Sequence, residues 1–151
     1  MSMQLMFDSN IFDDLVSGKL PLDLFGSTNI KIYVTHIQID EINKCEEIDK
    51  RARLFLLMVE LKSEKRATES FILGTSRLGS AKLGDSNIIE TLRAGNLKYT
   101  NDALIGETAI KNNLVLITND SNFRKKVENL GGVVMNVQEL KNSITLNSGP
   151  N

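Results

Sequence analysis

Residues 114–123 read LVLITNDSNF, which predicts a buried strand that ends in a polar turn and leads into a helix. The first four residues form a continuous apolar run, typical of a strand that is covered on both faces of a parallel sheet. The same order occurs near the N-terminus, where residues 5–10 read LMFDSN and apolar residues then recur at helical spacing. Two strands of this chain are therefore expected to end at an acidic turn that a helix follows.

Further strands and helices alternate along the chain. Residues 30–34 and 133–135 are rich in β-branched residues and are predicted strands, and residues 70–73 are a further candidate. Thr35 is a preferred helix N-cap, and the apolar spacing predicts a long helix over residues 46–66. This alternation predicts an α/β fold with a mainly parallel sheet that helices cover on both sides.

Length and composition predict a single domain with its own core. The chain has 151 residues, of which 41% are hydrophobic, enough for one domain of ordinary size. We expect this domain to span residues 1–140 and residues 141–151 to form a flexible tail, because the apolar pattern is lost there. The formal net charge of −1 excludes a polycation that coats nucleic acid, but binding through a local patch or a bound metal ion stays open.

Cysteine content and the N-terminal sequence favour a cytoplasmic protein. Cys45 is the single cysteine, so no intrachain disulfide can form, and a chain without cross-links fits a reducing compartment. Residues 1–4 lack the charged region and the long apolar stretch of a signal peptide. No apolar run approaches the roughly 20 residues that span a bilayer. We therefore expect no membrane partner.

Asp8 and Asp120 each follow a predicted buried strand. In open parallel sheets, ligands bind beyond the carboxyl ends of the strands. If the two strands are neighbours, the two carboxylates share one cleft. The alternative is that each aspartate only caps the helix after it, since aspartate is a preferred N-cap.

Glu41 is predicted to lie on or beside the buried face of its helix. It is one turn after Ile37 and one turn before Cys45, and both of these look like core positions. A carboxylate rarely occupies such a place unless it is paired or binds a metal ion. The neighbouring Asp40 has a simpler explanation, an ion pair with Lys44 at i,i+4, so Glu41 is the stronger candidate.

Asp102 is a fourth acid with the same character. Apolar or small residues follow it at i+3, i+4 and i+7, which places it on the apolar face of its helix. The alternative is that it stabilises the helix dipole from the first turn. Four carboxylates in one cleft repel one another, and either raised pKa values or bound cations must relieve that repulsion. Hard oxygen ligands favour Mg²⁺ or Mn²⁺, which can polarise a phosphodiester and lower the pKa of a bound water.

Four segments, in this order along nearly the whole chain, resemble the motifs of the PIN domain family. They are Asp8-Ser9-Asn10, Thr35 with Glu41 six residues later, Asn101-Asp102-Ala103-Leu104-Ile105, and residues 116–123. The resemblance implies a three-layer α/β/α fold with a parallel sheet of about five strands. It also implies a Mg²⁺- or Mn²⁺-dependent ribonuclease site. Its catalytic and metal-binding residues would be Asp8, Glu41, Asp102 and Asp120, and its polar supports would be Asn10 and Thr118.

The implied activity is hydrolysis of RNA phosphodiester bonds by an endoribonuclease. A cleft site reaches unpaired RNA most easily. The biological setting would be a toxin of a toxin–antitoxin pair, or RNA processing. The candidate partners are RNA, an antitoxin protein and a second copy of the chain. Compact toxin-type members are shorter between Glu41 and Asp102, which leaves the toxin role open.

Arg77 and Lys82 are candidates for contact with RNA phosphates. They lie between Gly74 and Gly84, in a segment whose glycines predict mobility near the cleft. The alternative is an ordinary solvated loop.

Two other interpretations use the same fold class. The first is a catalytically inactive RNA-binding or assembly module, which would have no need for uncompensated acids. The second is a receiver-like phosphoacceptor, but its expected lysine after a late strand is replaced here by Asn136. The single histidine, His36, is expected to be structural or exposed and not a base, and Cys45 lacks the neighbours of a reactive thiol.

Overall fold

The computed structural model describes residues 3–25, 29–68 and 100–147, and it contains a five-stranded parallel sheet. The order across the sheet is β3-β2-β1-β4-β5, and every neighbouring pair is parallel. The strands are β1 Met3–Phe7, β2 Ile30–Val34, β3 Glu64–Lys65, β4 Val115–Ile117 and β5 Val133–Met135. The predicted α/β fold with a parallel sheet of about five strands is therefore confirmed.

Six helices lie within the described ranges. They are α1 Ser9–Ser17, α2 His36–Asn43, α3 Ile48–Glu60, α4 Thr100–Lys111, α5 Ser121–Asn129 and α6 Val137–Asn147. A short 3-10 turn spans Leu22–Phe25. No helix in the described part of the chain has the length and apolar character that a membrane crossing requires.

Two apolar cores, one on each face of the sheet, make the three layers. Successive side chains of a strand point to opposite faces. Leu5 and Phe7 therefore join the core with α1, α3 and α6, while Met6 joins the core with α4 and α5. Helix α2 contributes to both, because Ile42 belongs to the first core and Ile37 to the second.

The long helix predicted over residues 46–66 ends earlier, at Glu60. Lys62 adopts a left-handed conformation with φ of 54°, and the chain then turns into β3 at the edge of the sheet. The sequence also predicts that Lys62, Lys65 and Arg66, near the end of the predicted helix, stabilise it by interacting with the negative end of its dipole. Instead the Arg66 backbone N–H donates to the carbonyl of Val34, and its guanidinium lies 4.7 Å from the centre of the Tyr33 ring. The strand predicted at residues 70–73 falls outside the described residues.

The flexible tail predicted from residue 141 is wrong for residues 141–147. Helix α6 runs across the predicted boundary, and its Leu140 and Ile144 side chains are buried in the core beside α1 and α3. Two apolar positions at i,i+4 are too short a pattern to indicate a helix by themselves. Here the packing surface of the sheet, and not the local sequence, makes the segment helical.

We expect Ile144→Ala to lower the free energy of unfolding by about 2–5 kcal/mol, because it opens a cavity in a buried site. Urea denaturation of the two proteins measures the difference. Leu146→Ala is the matched control on the same helix, since Leu146 is 81% exposed and surface changes stay within about 0.5 kcal/mol. Equal stability of the two variants would mean that α6 does not pack on the domain.

Candidate functional site

The acidic site begins where β1 and β4 end side by side. The two strands are neighbours, and their last residues, Phe7 and Ile117, are paired. The Asp8 backbone N–H donates to the carbonyl of Ile117 at 3.0 Å, so the pairing continues to the first residue after β1. Asp8 and the turn that holds Asp120 therefore lie at the same end of the sheet.

Asp8 is buried, with 7% of its surface exposed, and both of its carboxylate oxygens accept hydrogen bonds. Oδ1 accepts from the Ser9 backbone N–H at 2.8 Å, and Oδ2 accepts from the Thr118 hydroxyl at 2.8 Å. Burial raises the pKa of Asp8, and the charges of Glu41 and Asp120 raise it further, while the two hydrogen bonds oppose the rise. The two hydrogen bonds thus fix the orientation of the Asp8 carboxylate, while burial and the nearby negative charges disfavour its ionised form.

Thr118 joins Asp8 to the turn after β4. Its hydroxyl donates to Asp8 and accepts from the Asp120 backbone N–H at 3.1 Å. Asp120 in turn caps α5, because its Oδ1 accepts from the backbone N–H groups of Asn122 and Phe123 at 3.0 and 3.1 Å. Both strand-end aspartates are therefore helix caps and members of the acidic group, so the two interpretations of these residues are not exclusive.

Asn119, between Thr118 and Asp120, ties two helices to this turn. Its Nδ2 donates to Oδ2 of Asp14 on α1 at 2.9 Å. Its Oδ1 accepts from the backbone N–H of Val137, the first residue of α6, at 3.2 Å. The turn after β4 is therefore fixed to helices that cover the sheet, which limits movement of Asp120.

Glu41 approaches the group from α2. Its side chain is partly buried, and Oε1 accepts a hydrogen bond from Nδ2 of Asn101 at 3.2 Å. Asn101 lies in the first turn of α4 and directly precedes Asp102. The contact brings the Glu41 helix to the start of the Asp102 helix. The sequence marked Asn101 only as part of a motif, since a contact across 60 residues carries no local signal.

Asp102 shows that the four carboxylates share one electrostatic environment. Its pKa is raised to about 6, first by burial and then by the negative charges of Asp8, Glu41 and Asp120. The positive charge of Lys126 on α5 opposes this rise. No base stands next to the acids in sequence, so the influence of Lys126 was not foreseen. It follows from the packing of α5 beside α4.

The donor chemistry of this group fits a hard divalent cation, because all four side chains offer carboxylate oxygens. Within residues 3–25, 29–68 and 100–147, however, no three His, Cys, Asp or Glu side chains are arranged to hold a metal ion as they stand. Each oxygen of Asp8 already accepts one hydrogen bond, and each keeps a second lone pair. A cation would have to draw the carboxylates closer together.

The remaining candidate residues lie around this group or beyond the described chain. Asn10 is exposed in the first turn of α1, and it lines a cavity of about 190 Å³ together with Glu41, Cys45 and Lys50. His36 is buried at the start of α2. Arg77, Lys82 and the whole segment 74–84 fall outside the described residues.

Comparison with solved structures gives consistent matches to one fold. A PilT N-terminus domain protein from Sulfolobus solfataricus is similar at a TM-score of 0.57 and 17% identity, over 99% of both chains. The VapBC2 structure from Rickettsia felis, bound to a promoter DNA fragment, is similar at a TM-score of 0.54 and 18% identity, over 89% of this chain and 98% of that chain. VapBC-1 from nontypeable Haemophilus influenzae is similar at a TM-score of 0.54 and 18% identity, over 90% of this chain and 99% of that chain. Neither a family sequence model nor a curated protein sequence matches the chain.

These likenesses agree with the parallel five-stranded sheet of the chain and its covering helices. The chain therefore has the PIN domain fold, the three-layer α/β/α arrangement that its motifs indicated.

Without metal, we expect Asp102→Asn to be more stable than the wild type at pH 7 and equally stable near pH 4. The folded-state pKa of Asp102 is raised from 3.8 to about 6, so folding favours its protonated form. The stability from that protonation is complete below about pH 4 and is lost as the pH rises through 6. Thermal melting in EDTA at several pH values measures the difference between the two proteins.

Asp23→Asn is the matched control, because Asp23 is exposed on the Leu22–Phe25 turn. Its melting temperature should equal that of the wild type at every pH. A constant difference between Asp102→Asn and the wild type from pH 4 to 7 would contradict the raised pKa of Asp102.

Thr118→Val should destabilise the protein by about 1–3 kcal/mol, because Oδ2 of Asp8 and the Asp120 backbone N–H each lose their hydrogen bond to the Thr118 hydroxyl. Thr118→Ser keeps the hydroxyl and should retain most of the stability. Chemical denaturation compares the three proteins. If both variants lose the same free energy, the hydroxyl is not what holds the strand-end turn.

Proposed function

We propose that the protein is an endoribonuclease that uses Mg²⁺ or Mn²⁺ to hydrolyse RNA phosphodiester bonds. The observation that supports this most is the convergence of Asp8, Glu41, Asp102 and Asp120, whose negative charges act on one another in a partly buried position. A fold gains nothing from such repulsion by itself. A divalent cation would reverse its effect, because the same charges that repel one another would attract the ion.

The four carboxylates would hold the ion, and Thr118 and Asn101 would orient two of them. Thr118 fixes Asp8 by a charge-assisted hydrogen bond, and Asn101 holds one oxygen of Glu41, which leaves its second oxygen available. A bound divalent ion supplies Lewis acidity toward a phosphodiester and a water of lowered pKa. The raised pKa of Asp102 also allows this side chain to carry a proton near neutral pH when no cation is present.

RNA is the proposed substrate, and the charge of the site explains why the cation matters. A phosphodiester is negative and would be repelled by four carboxylates unless a cation lay between them. Lys126 lies close enough for its positive charge to act on Asp102, and it would attract a phosphate to this group. Unpaired RNA is the preferred form, because its backbone can enter a cleft that a duplex cannot.

An antitoxin protein is a proposed partner. Two of the similar solved structures are VapBC complexes, and this likeness supports a toxin role without distinguishing it from RNA processing. The alternative function is an RNA-binding or assembly module without catalysis. It is favoured by the lack of a ready-made metal cage among the described side chains.

Asp102→Asn should lower Mg²⁺-dependent cleavage of a labelled single-stranded RNA by on the order of 100-fold or more, because it weakens binding of the ion. Asp23→Asn should cleave at the wild-type rate. Melting in Mg²⁺ checks the folded state of each protein. Saturating Mg²⁺ should stabilise the wild type more than Asp102→Asn, since an ion that binds only the folded state raises stability by about 2.7 kcal/mol at 100 times its Kd.

Two results would overturn the proposal. Cleavage by Asp102→Asn as fast as the wild type would show that the four-acid site is not catalytic. RNA binding by the wild type without cleavage in Mg²⁺ or Mn²⁺ would favour the inactive module.

A further inference from the structure

Gln38 is a fully buried amide in the first turn of α2, one turn before Glu41. A buried amide is unfavourable unless its polar atoms are hydrogen-bonded. Oε1 of Gln38 accepts from the Thr35 backbone N–H at 2.8 Å and from the Thr35 hydroxyl. These contacts form a capping box, which is a sufficient reason for glutamine at this position of a helix.

The other end of the Gln38 side chain has a different partner. Nε2 donates to the backbone carbonyl of Phe7 at 3.1 Å and lies 3.1 Å from the sulfur of Met6. A capping box does not require this bond, which spans 31 residues of sequence. It joins the start of α2 to the last residue of β1.

The Phe7 carbonyl lies where pairing between β1 and β2 stops. The register pairs Met6 with Tyr33 as its last step, and beyond this point the chain after β2 leaves the sheet to form α2. Gln38 therefore continues the hydrogen bonding of β1 by one residue, with a side chain in place of a strand. Without it, a buried carbonyl would lose its partner at a free-energy penalty.

The hydrogen bond from Gln38 to Phe7 links the two parts of the chain that carry Asp8 and Glu41. Phe7 directly precedes Asp8, and Glu41 follows Gln38 by three residues, so the two residues of α2 lie on adjacent turns of one face. The amide thus connects the backbone that carries Asp8 to the helical turn that carries Glu41. Asn101 and Thr118 hold these two carboxylates individually, whereas Gln38 fixes the distance between the elements that bear them.

We propose that Gln38 is a positioning residue that sets the spacing of Asp8 and Glu41 and thereby the affinity of the acidic group for a divalent cation. This inference rests on the proposed function. It predicts that loss of the bond to Phe7 affects metal binding beyond its effect on stability. Loss of the cap alone affects stability but leaves metal binding nearly unchanged.

Two variants separate these roles. Gln38→Met has a similar length but cannot donate to the Phe7 carbonyl, and it also loses the capping acceptor. Thr35→Ala loses the capping hydroxyl but keeps Gln38 and its bond to Phe7. Titration of the full chain with Mn²⁺ gives the dissociation constant, at a temperature where melting curves show every protein folded. Cleavage of a labelled RNA at saturating Mn²⁺ gives kcat and KM.

Gln38→Met should weaken Mn²⁺ binding by about 10- to 100-fold, the usual effect of a residue that orients metal ligands. Its KM for RNA should stay within about 2-fold of the wild type, because Gln38 is buried and does not meet the substrate. Thr35→Ala should keep the Mn²⁺ dissociation constant within about 3-fold. If Gln38→Met fails to fold, Gln38→Asn takes its place, since its amide is one methylene too short to span Thr35 and Phe7.

The outcomes distinguish this inference from the proposed function. Equal Mn²⁺ affinity of the Gln38 and Thr35 variants, with an active wild type, overturns the role of Gln38 alone. A wild type that neither binds Mn²⁺ nor cleaves RNA overturns both. A large loss of affinity in the Gln38 variant only, with unchanged KM, supports the positioning role.

Discussion

Repulsion among four carboxylates is the constraint on which the rest of this structure depends. Three of the acids, Asp8, Asp102 and Asp120, each have an ordinary explanation as a helix cap or a first-turn residue. Burial, and then the charges of the other three acids, raise the pKa of Asp102 to about 6, so the fold must hold the four carboxylates together against their repulsion. Two apolar cores, on opposite faces of the same central strand, provide that restraint. Packing of this kind stores electrostatic strain.

Hydrogen bonds at the end of the sheet transmit this restraint to individual side chains. Thr118 acts on Asp8, Asn101 acts on Glu41, and Asn119 fixes the turn before Asp120 to α1 and α6. Most of these partners are distant in sequence. The geometry of the acidic group is therefore a property of the whole domain and not of any one motif.

The sequence predicted the parts of the fold that local patterns determine. Buried parallel strands appear as apolar runs at residues 5–7 and 114–117, and Thr35 caps α2 as its residue type suggests. The four acids could be identified because strand ends and helical periodicity locate them. The ends of α3 and α6 were missed for a different reason. Leu61 continues the apolar spacing of Leu54 and Met58, so periodicity does not reveal that α3 ends at Glu60. Helix α6 is held by the packing of Leu140 and Ile144 against distant elements. The roles of Asn101, Gln38 and Lys126 were not predicted, since they come from neighbours that only the folded chain supplies.

The outer strand β3 has a consequence for how the protein behaves beside other chains. It consists of Glu64 and Lys65, both charged and both exposed, and it pairs with only two residues of β2. A long, flat, apolar outer strand is a template for strand addition by another chain, and it promotes aggregation. A strand of two residues offers few backbone groups to an incoming strand. Covering its two charged side chains would also cost desolvation free energy. Among the described residues, this border of the sheet therefore resists growth into intermolecular β-structure.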